Sequence, residues 1–343
     1  MSEKKEVTIY DIAEKLKLSP STVSRGLRNH PAIRKKTIER IQETAAAMNY
    51  QQNTFASNLR SNRSNTIGVI LPRFESSFLS SVVSSIEKVV RSKGYNLLVS
   101  QSYDSNTLEK ENLQTHFNNR VEGLLINLTP ETDDLTHLDL FLKKGIPVVL
   151  FDRVRSQSGS GCTTVSIDNK QAGYDVTRHL ISQGCKRIVY LGQNTTCPVF
   201  GERAKGYWQA LAEHGLEADP KLVIEEHLTT ETGALVVNRI LNMEKRPDGI
   251  FAGNDMAAVS LMFELKKRGL RIPDDIAIAG FNDTYLSRIV EPSLTTVIYP
   301  GDEMGRIAAN SLMEIMDHES QVATQNILLK HELVVRDSSL RNS

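Results

Sequence analysis

The sequence predicts a small all-α headpiece of helix-turn-helix type, followed by an α/β core of two lobes, each built on a doubly wound parallel sheet. The first fifty residues carry helical patterns broken by two tight turns, whereas from Thr66 onward short apolar runs alternate with longer helical patterns. Charge divides the chain in the same way. Residues 1–63 hold 12 Lys or Arg against 6 Asp or Glu, although the whole chain balances 41 against 41. A basic head on a mildly acidic body indicates a nucleic-acid-binding module joined to a different domain.

Length and composition limit the class of protein. A chain of 343 residues with 40% hydrophobic content is long enough for two or three domains with real cores. The first residues show no apolar core with a small-residue cleavage site, and no apolar run approaches the length of a membrane span. Cys162, Cys185 and Cys197 lack CxxC spacing, which is typical of reduced thiols. We therefore expect a cytoplasmic protein without a membrane segment.

The headpiece begins with two short helices. Thr8 is placed to cap the first helix, with Asp11 three residues later as in a capping box. Ser19 is a typical N-cap for the second helix, and Pro20 follows at the first helical position, where its missing N–H does no harm. The pattern predicts that this second helix runs to about Leu27.

A third helix is predicted from Ile38, Ile41, Ala45 and Met48, which are spaced three or four residues apart.

The exposed face of the second helix carries short polar and basic residues, namely Ser21, Thr22, Ser24, Arg25 and Arg28. Hydroxyl groups can contact phosphates, and an Arg can bind guanine with two hydrogen bonds. An ordinary solvated helix face has the same composition, so this segment alone leaves both interpretations open.

The sequence of the body predicts repeated βα units. Predicted strands at 67–71, 96–100, 123–127 and 148–151 recur at roughly 26-residue intervals, and a second series follows at 165–167, 187–191, 223–226, 249–251 and 276–280. Helices are predicted over 78–92, 171–183, 203–214, 232–243 and 255–268. Because the apolar runs are nearly continuous, the strands are expected to be buried on both faces, as in parallel sheets.

Ligands of such folds bind beyond the carboxyl ends of the strands, and with two lobes the cleft between them is the expected site. The residues that follow the predicted strands are 73–78, 152–153, 168, 193–203, 254–255 and 281–283.

The motifs GxGxxG, GxxxxGK[ST], GxSxG and HExxH are all missing, and the eight His are scattered. We expect no catalytic residues, metal or cofactor, and instead a cleft that binds a polyhydroxylated or hydrogen-bonding ligand.

Specific motifs carry a family resemblance. Residues 9–25 (IYDIAEKLKLSPSTVSR), with Asn49–Tyr50 and the 53–59 segment, resemble the headpiece and hinge of the lactose repressor / galactose repressor family of bacterial transcription regulators. The resemblance extends almost to the C-terminus through PVVLFDR (147–153), VSID (165–168), GERAKGY (201–207), ND (254–255), AGFND (279–283) and PSLTT (292–296). The family's effector-binding core is related to periplasmic sugar-binding proteins, so the same fold is expected here.

The resemblance implies a set of DNA contacts. It places Pro20, Ser21 and Arg25 where the family reads bases, and Thr8, Ser19, Thr22, Ser24 and Asn29 among phosphate contacts. It also implies a hinge over 53–60 that becomes helical on operator DNA, with Tyr50, Asn53, Ala56 and Leu59 at DNA-contacting positions and Leu59 wedged into the minor groove. Composition alone makes this stretch a disordered linker. Two departures, Gln52 for Pro and Arg34 for a Ser N-cap, bear on hinge rigidity and on capping of the third helix.

The resemblance likewise implies an effector site. Matching positions are Phe78, Asp152, Arg203, Leu228, Asn254, Asn282 and Tyr299, with Asp152, Arg203 and Asn254 as the strongest trio. The alternative is structural: Asp152 closes a turn, and Arg203 pairs with Glu202 or Asp255. Asn282 stands where several members have an acidic residue, and Leu228 where some have an aromatic one, so the identity of the effector stays open.

The implied organisation is a headpiece at 1–50, a hinge at 51–65, an N-terminal core lobe at 66–164 and 298–328, and a C-terminal core lobe at 165–297 and 329–337. The expected function is a transcription regulator, usually a repressor, whose affinity for near-palindromic operator DNA is set by a small molecule such as a sugar or related metabolite. A homodimer is expected, partly through the apolar 79–86 stripe. A dimer is favoured over a tetramer because no tetramerisation heptads follow Arg336. The alternative, a periplasmic-type solute-binding protein, would have no use for a basic headpiece.

Overall fold

The computed structural model describes residues 7–50, 64–74, 76–132, 134–155, 161–317 and 323–341. The chain divides into two compact units, Met1–Arg63 and Ser64–Ser343. We call these the headpiece unit and the body.

The described part of the headpiece unit, residues 7–50, contains three helices, α1 (Ile9–Leu16), α2 (Pro20–Leu27) and α3 (Lys35–Ala47), as predicted. Its predicted caps are present. The Thr8 backbone N–H donates to Asp11 Oδ2 (2.7 Å), and the Thr22 backbone N–H donates to Ser19 Oγ (3.1 Å). Local capping chemistry therefore sets where the first two helices begin.

The headpiece unit has its own core, in which Ile12, Val23 and Ile41 are fully buried. One end of α3 is less well held than the others. Arg34 occupies the N-cap of α3, and its side chain makes no capping hydrogen bond. This departure from a Ser N-cap lowers helix stability by about 1 kcal/mol on the scale of measured caps.

The body consists of alternating strands and helices. Its strands are β1 (Thr66–Leu71), β2 (Asn96–Gln101), β3 (Gly123–Ile126), β4 (Val148–Phe151), β5 (Thr163–Ile167), β6 (Ile188–Gly192), β7 (Val223–Glu225), β8 (Gly249–Ala252), β9 (Ala277–Ala279), β10 (Thr296–Ile298), β11 (Asn326–Leu329) and β12 (Glu332–Val334). Its helices are α4 (Ser77–Ser92), α5 (Asn106–Asn118), α6 (Asp139–Leu142), α7 (Asn169–Ser182), α8 (Pro198–Glu213), α9 (Thr232–Leu241), α10 (Asp255–Lys267), α11 (Tyr285–Ile289) and α12 (Gly301–Asp317).

Within the described residues, the strands form two parallel sheets and one small antiparallel pair. The first sheet has the order β11-β5-β4-β3-β1-β2, and the second has the order β7-β6-β8-β9. Strands β10 and β12 pair antiparallel, and β10 also touches the second sheet through isolated bridges at Ala279–Thr295 and Asn282–Ile298. Because all pairs within the two large sheets are parallel, the carboxyl ends of their strands collect the loops on one edge of each sheet.

Nearly all predicted strands and helices of the body are present, with ends shifted by a few residues. One strand assignment was wrong. The 165–167 run was placed in the second series, but β5 pairs with β4 and β11 in the first sheet. Strand order depends on long-range pairing, which a linear series of apolar runs does not contain. Helices α5, α6, α11 and α12 and strands β10 to β12 were not predicted.

Helices α7 and α8 pack unusually closely through two glycines. A Cβ added to Gly206 would lie 2.0 Å from the Lys170 carbonyl oxygen, and one added to Gly173 would lie 2.3 Å from the Arg203 carbonyl oxygen. Any side chain at either glycine would therefore push the two helix backbones apart. This contact fixes the height and rotation of α8, the helix that carries Arg203.

Candidate functional site

Asp152 lies directly after β4 and is 7% exposed. Its backbone is left-handed, with φ of 61°, a conformation that Asp tolerates better than most residues. The side chain does more than close a turn, because its two oxygens accept hydrogen bonds from Asn127 Nδ2 (2.8 Å) and from the Tyr299 hydroxyl. Asp152 is therefore a buried carboxylate held by two side chains from other segments.

Arg203 projects from α8 and is 3% exposed. Its Nε donates to Asn169 Oδ1 (2.9 Å), and its Nη1 donates to the Gly253 carbonyl (3.0 Å). The guanidinium carbon lies 3.4 Å from the centre of the Phe281 ring, a cation–π geometry. Burial lowers the pKa of Arg203, against the effect of Tyr299, Tyr190 and Asp152 nearby.

The structural alternative for Arg203 is wrong, because neither proposed carboxylate is its partner. Glu202 pairs with Lys205 (2.5 Å), and Asp255 is hydrogen-bonded to Thr296 and Thr284. Among the described residues, no carboxylate lies within ion-pair distance of Arg203. A buried cation without an anion is costly, so its remaining N–H groups are available to a ligand that carries acceptors.

An aromatic group joins these charged residues. The rings of Phe78 and Tyr299 are stacked with centroids 4.3 Å apart, and Phe281 meets Tyr299 edge-on at 5.8 Å. Burial and the neighbouring Asp152 carboxylate raise the pKa of Tyr299 well above its usual value, so the hydroxyl is a neutral donor. The structure thus brings Phe78, Asp152, Arg203 and Tyr299 into one connected group.

The other three predicted effector residues lie on the second sheet side. Asn254 is the N-cap of α10: its Oδ1 accepts from the Ala257 N–H (2.8 Å), and its Nδ2 donates to the Leu228 carbonyl (3.1 Å). Asn282 has a φ of 111° and donates its backbone N–H to Val297 (2.9 Å). The Asn254 amide is used within the protein, and the link to Arg203 runs through the preceding residue, Gly253.

Asp255, next to Asn254, is fully buried. Burial raises the pKa of Asp255 to about 6, although hydrogen bonds from Thr296 Oγ1 (2.6 Å) and the Thr284 N–H (2.6 Å) favour its charged form. Neighbouring Asp283 adds a smaller rise. The charged carboxylate is therefore less stable here than in the unfolded chain.

This shift predicts a pH dependence of stability. Between the unfolded pKa near 3.8 and the folded pKa of about 6, only the folded state holds the Asp255 proton. Stability from this group is therefore full below pH 3.8 and lost as pH rises through 6, by about 3 kcal/mol for two pKa units. We expect Asp255→Asn to remove this slope, measured as the variant-minus-wild-type free energy of unfolding in urea between pH 4 and 7. A pH-independent difference would contradict the prediction.

Two residues of the site were missed in the sequence. Asn127 is fully buried beside Asp152, and its Oδ1 has no hydrogen-bond partner in the described part of the chain. Asn169 holds Arg203 Nε. The signal was present, because Asn127 directly follows β3 and Asn169 comes two residues after β5. Both are strand-end polar residues, the same class as Asp152.

Other strand-end candidates have structural partners. Asp168 caps α7 by accepting the Gln171 N–H (2.8 Å). Arg73 (3.3 Å) and Arg153 (2.5 Å) both pair with Asp104, which lies after β2. These residues border the group around Asp152 without joining its hydrogen bonds.

The predicted DNA contacts of the headpiece unit are accessible. Thr8, Ser19, Ser21, Arg25 and Asn29 are exposed, while Pro20, Thr22, Ser24 and Tyr50 are half-buried. Asn29 is in the left-handed region with φ of 56°, and its Oδ1 accepts from Gln42 Nε2 (2.9 Å). Asn53, Ala56 and Leu59 lie outside the described residues.

Neither a membrane span nor a metal centre is present among the described residues. No helix among them is long and apolar enough to cross a membrane. No cluster of three or more His, Cys, Asp or Glu in those same ranges could hold a metal ion.

Comparison with known proteins gave matches for both units. A model of the lacI family of bacterial regulatory proteins matches residues 8–53, and a periplasmic binding protein-like domain matches residues 177–339. Catabolite control protein A of Priestia megaterium is 30% identical over 334 residues, covering 97% of this chain and 99% of that protein. The transcriptional repressor CytR of Escherichia coli K12 is 29% identical over 332 residues, covering 97% and 96%.

A similar solved structure is the lac repressor dimer bound to operator and the anti-inducer ONPF. It superimposes with a TM-score of 0.85 at 23% identity, covering 98% of this chain and 100% of that one. At this identity the likeness establishes the fold: a helix-turn-helix headpiece with a periplasmic-binding-protein-like core.

Proposed function

Because this chain belongs to the lacI family of bacterial regulatory proteins, it is a DNA-binding transcription regulator, and we propose that a small molecule bound in the body controls its operator affinity. We propose that it acts as a repressor on near-palindromic duplex DNA, as a homodimer in the cytoplasm, where the DNA is. The observation that carries the effector proposal is the buried Arg203, which lacks a carboxylate partner among the described residues and faces the same aromatic group as Asp152.

The chemistry of the site favours a sugar or a related hydrogen-bonding metabolite. Arg203 has five N–H donors, of which two are used in the described hydrogen bonds. Asp152 and Asn127 supply acceptor oxygens beside it, and Phe78 and Phe281 supply apolar ring faces. Polar groups that converge in an apolar setting suit a ring carrying several hydroxyl groups.

We propose that the effector acts through lobe arrangement. The proposed division is the headpiece 1–50, the hinge 51–65, and lobes at 66–164 with 298–328 and at 165–297 with 329–337. The ends of β5 and β11, at 165–167 and 329, are reassigned to the first lobe because both strands pair in the first sheet. A ligand that binds one arrangement of the lobes more tightly shifts the population toward it. If that arrangement changes the spacing of two hinges in a dimer, operator affinity changes by the same differential free energy.

Operator recognition is tested with Arg25, exposed on α2. We expect Arg25→Ala to weaken binding to duplex DNA from upstream of the chain's own coding region by about 10- to 100-fold, since a bidentate guanine contact contributes about 1–3 kcal/mol. Binding to a scrambled duplex should change far less. The matched control is Arg40→Ala, an exposed arginine on α3.

Gel shift over a salt series measures both affinities. Equal losses on the two duplexes would contradict base reading by Arg25, because a phosphate contact weakens all sequences alike. Wild-type binding without preference for the upstream duplex would contradict the regulator proposal itself.

The homodimer proposal has a candidate face on the body. Three neighbouring helices, α9, α10 and α11, each expose large apolar side chains: Leu235 (60%), Phe263 (59%), Tyr285 (74%) and Ile289 (58%). The 79–86 stripe contributes less than expected, because Leu79, Val82 and Ile86 are buried in the core. Exposed apolar groups of this size are typical of protein–protein interfaces.

We expect the double variant Tyr285→Asp, Ile289→Asp to raise the dimer dissociation constant at least tenfold, because it places two charges in an apolar contact. Sedimentation velocity measures the change. The control is Leu108→Asp on α5, at 37% exposure. A dimer unaffected by the double variant would mean that another face joins the two copies.

A further inference from the structure

Tyr299 occupies a special position in the body. It directly follows β10, and its carbonyl accepts the Gly301 N–H (2.8 Å) at the start of α12. It therefore lies where the chain passes from a strand that touches the second sheet to a helix that packs on the first. Its side chain is 5% exposed.

The Tyr299 side chain contacts three of the other predicted effector residues. Its ring is parallel to Phe78 within 6°, with centroids 4.3 Å apart, and Arg203 lies 5.7 Å from its centre. Its hydroxyl donates to Asp152 Oδ1. Since Asn127 Nδ2 occupies Oδ2, both oxygens of this carboxylate are already satisfied within the protein.

One acceptor beside Asp152 is left without a hydrogen bond among the described residues. Asn127 Oδ1 is buried, has no hydrogen-bond partner in the described ranges, and belongs to the amide whose nitrogen bonds Asp152. A buried acceptor without a donor costs free energy. A phenol has one hydroxyl, so Tyr299 satisfies Asp152 and leaves Asn127 Oδ1 unsatisfied.

We propose that Tyr299 is an internal competitor of the effector: it fills the Asp152–Phe78 part of the site and is displaced by ligands whose ring carries two adjacent hydrogen-bond donors. Such a ligand stacks on Phe78, donates one hydrogen bond to Asp152 and donates the second to Asn127 Oδ1. The inference rests on the proposed function in taking this group as the effector site. Tyr299 thereby determines which ligands are accepted, because a ring with one donor gains nothing over the phenol already present.

The test uses small rings as probes. Tyr299→Ala removes the phenol and opens a space of about its size, which is probed with toluene, p-cresol and 4-methylcatechol, rings that differ from one to the next by one hydroxyl group. By calorimetry we expect 4-methylcatechol to bind this variant about tenfold more tightly than p-cresol, because it makes one more buried hydrogen bond. For the same reason p-cresol should bind more tightly than toluene. Wild-type protein should bind all three at least tenfold more weakly, because Tyr299 occupies the space.

A matched cavity variant provides the control. Tyr207 is fully buried and its hydroxyl donates to the Ile188 carbonyl (2.8 Å). Tyr207→Ala should bind p-cresol without any preference for the catechol. If Tyr299→Ala also lacks that preference, or if Tyr207→Ala shows it equally, the inference is overturned.

Tyr299→Phe keeps the test decisive if the Ala variant does not fold. This change retains the stack on Phe78 and removes only the donor to Asp152, so the ring is displaced without losing a hydrogen bond. We expect 4-methylcatechol to bind Tyr299→Phe about tenfold more tightly than wild type by calorimetry. Equal binding to the two proteins would overturn the inference. Neither measurement uses operator DNA, so a failed operator assay alongside a catechol preference would count against the proposed function and leave the role of Tyr299 standing.

Discussion

Arg203→Ala is expected to abolish the effector response while operator binding without effector is retained. Arg203 is the buried cation of the site, and removing a charged, hydrogen-bonded partner from a desolvated contact costs about 3 kcal/mol, or roughly 100-fold in affinity. The predicted DNA contacts lie in a separate unit with its own core, so they keep their structure. The effector would then no longer distinguish the two arrangements of the body at working concentrations.

The measurement has two steps. A thermal-shift screen of sugars, sugar acids and nucleobases first identifies ligands that stabilise the wild-type protein. Fluorescence anisotropy on operator DNA, with and without these ligands, then compares wild type with Arg203→Ala, with Arg203→Lys, and with Lys205→Ala as the exposed control on the same helix. An effector response that survives in Arg203→Ala would exclude this residue from the site.

Gly206→Ala is expected to destabilise the body by about 3 kcal/mol, at the upper end for overpacking in a filled interior. The added Cβ would lie 2.0 Å from the Lys170 carbonyl oxygen and 2.6 Å from the Tyr174 backbone nitrogen. Both obstacles are backbone atoms of α7, so a rotamer change cannot relieve the contact. Because the same crossing holds the Arg203 backbone against Gly173, effector affinity should fall together with stability.

Thermal unfolding measures the effect, expected as a fall in melting temperature of about 6–10 °C. Gln209→Ala is the matched control, because Gln209 is exposed on the same helix and its side chain donates to neighbouring Glu213 Oε1 (2.9 Å). If Gly206→Ala has the same melting temperature as Gln209→Ala, the added methyl group fits between α7 and α8, contrary to the structure.

Local patterns predicted local structure well. Ser19 followed by Pro20 marks the start of α2 because capping involves atoms within one helical turn. The place of β5 needed information of another kind, since its neighbours are β4 and β11, the latter more than 150 residues away in sequence. A run of apolar residues states that a strand is buried but not which strand lies beside it.

The sequence likewise indicated some residues of the candidate site but not how they contact one another. Asp152 could be identified because it follows a strand of a parallel sheet, where ligands bind. Its hydrogen bond to Tyr299 joins residues that are 147 positions apart, and the unpartnered oxygen of Asn127 is visible only when every neighbour is in place. Sequence position indicates which residues face a site, whereas the way in which they satisfy one another depends on the whole fold.

The edge strand β11 also affects the order in which parts of the chain can fold during synthesis. Residues 326–334 add β11 to the outer edge of the first sheet and β12 to β10, so these pairings form only after the other described strands of the body have been synthesised. The headpiece unit, with its own core of local helices, can fold as soon as it emerges. On each new chain, the headpiece unit can therefore fold before the body is complete.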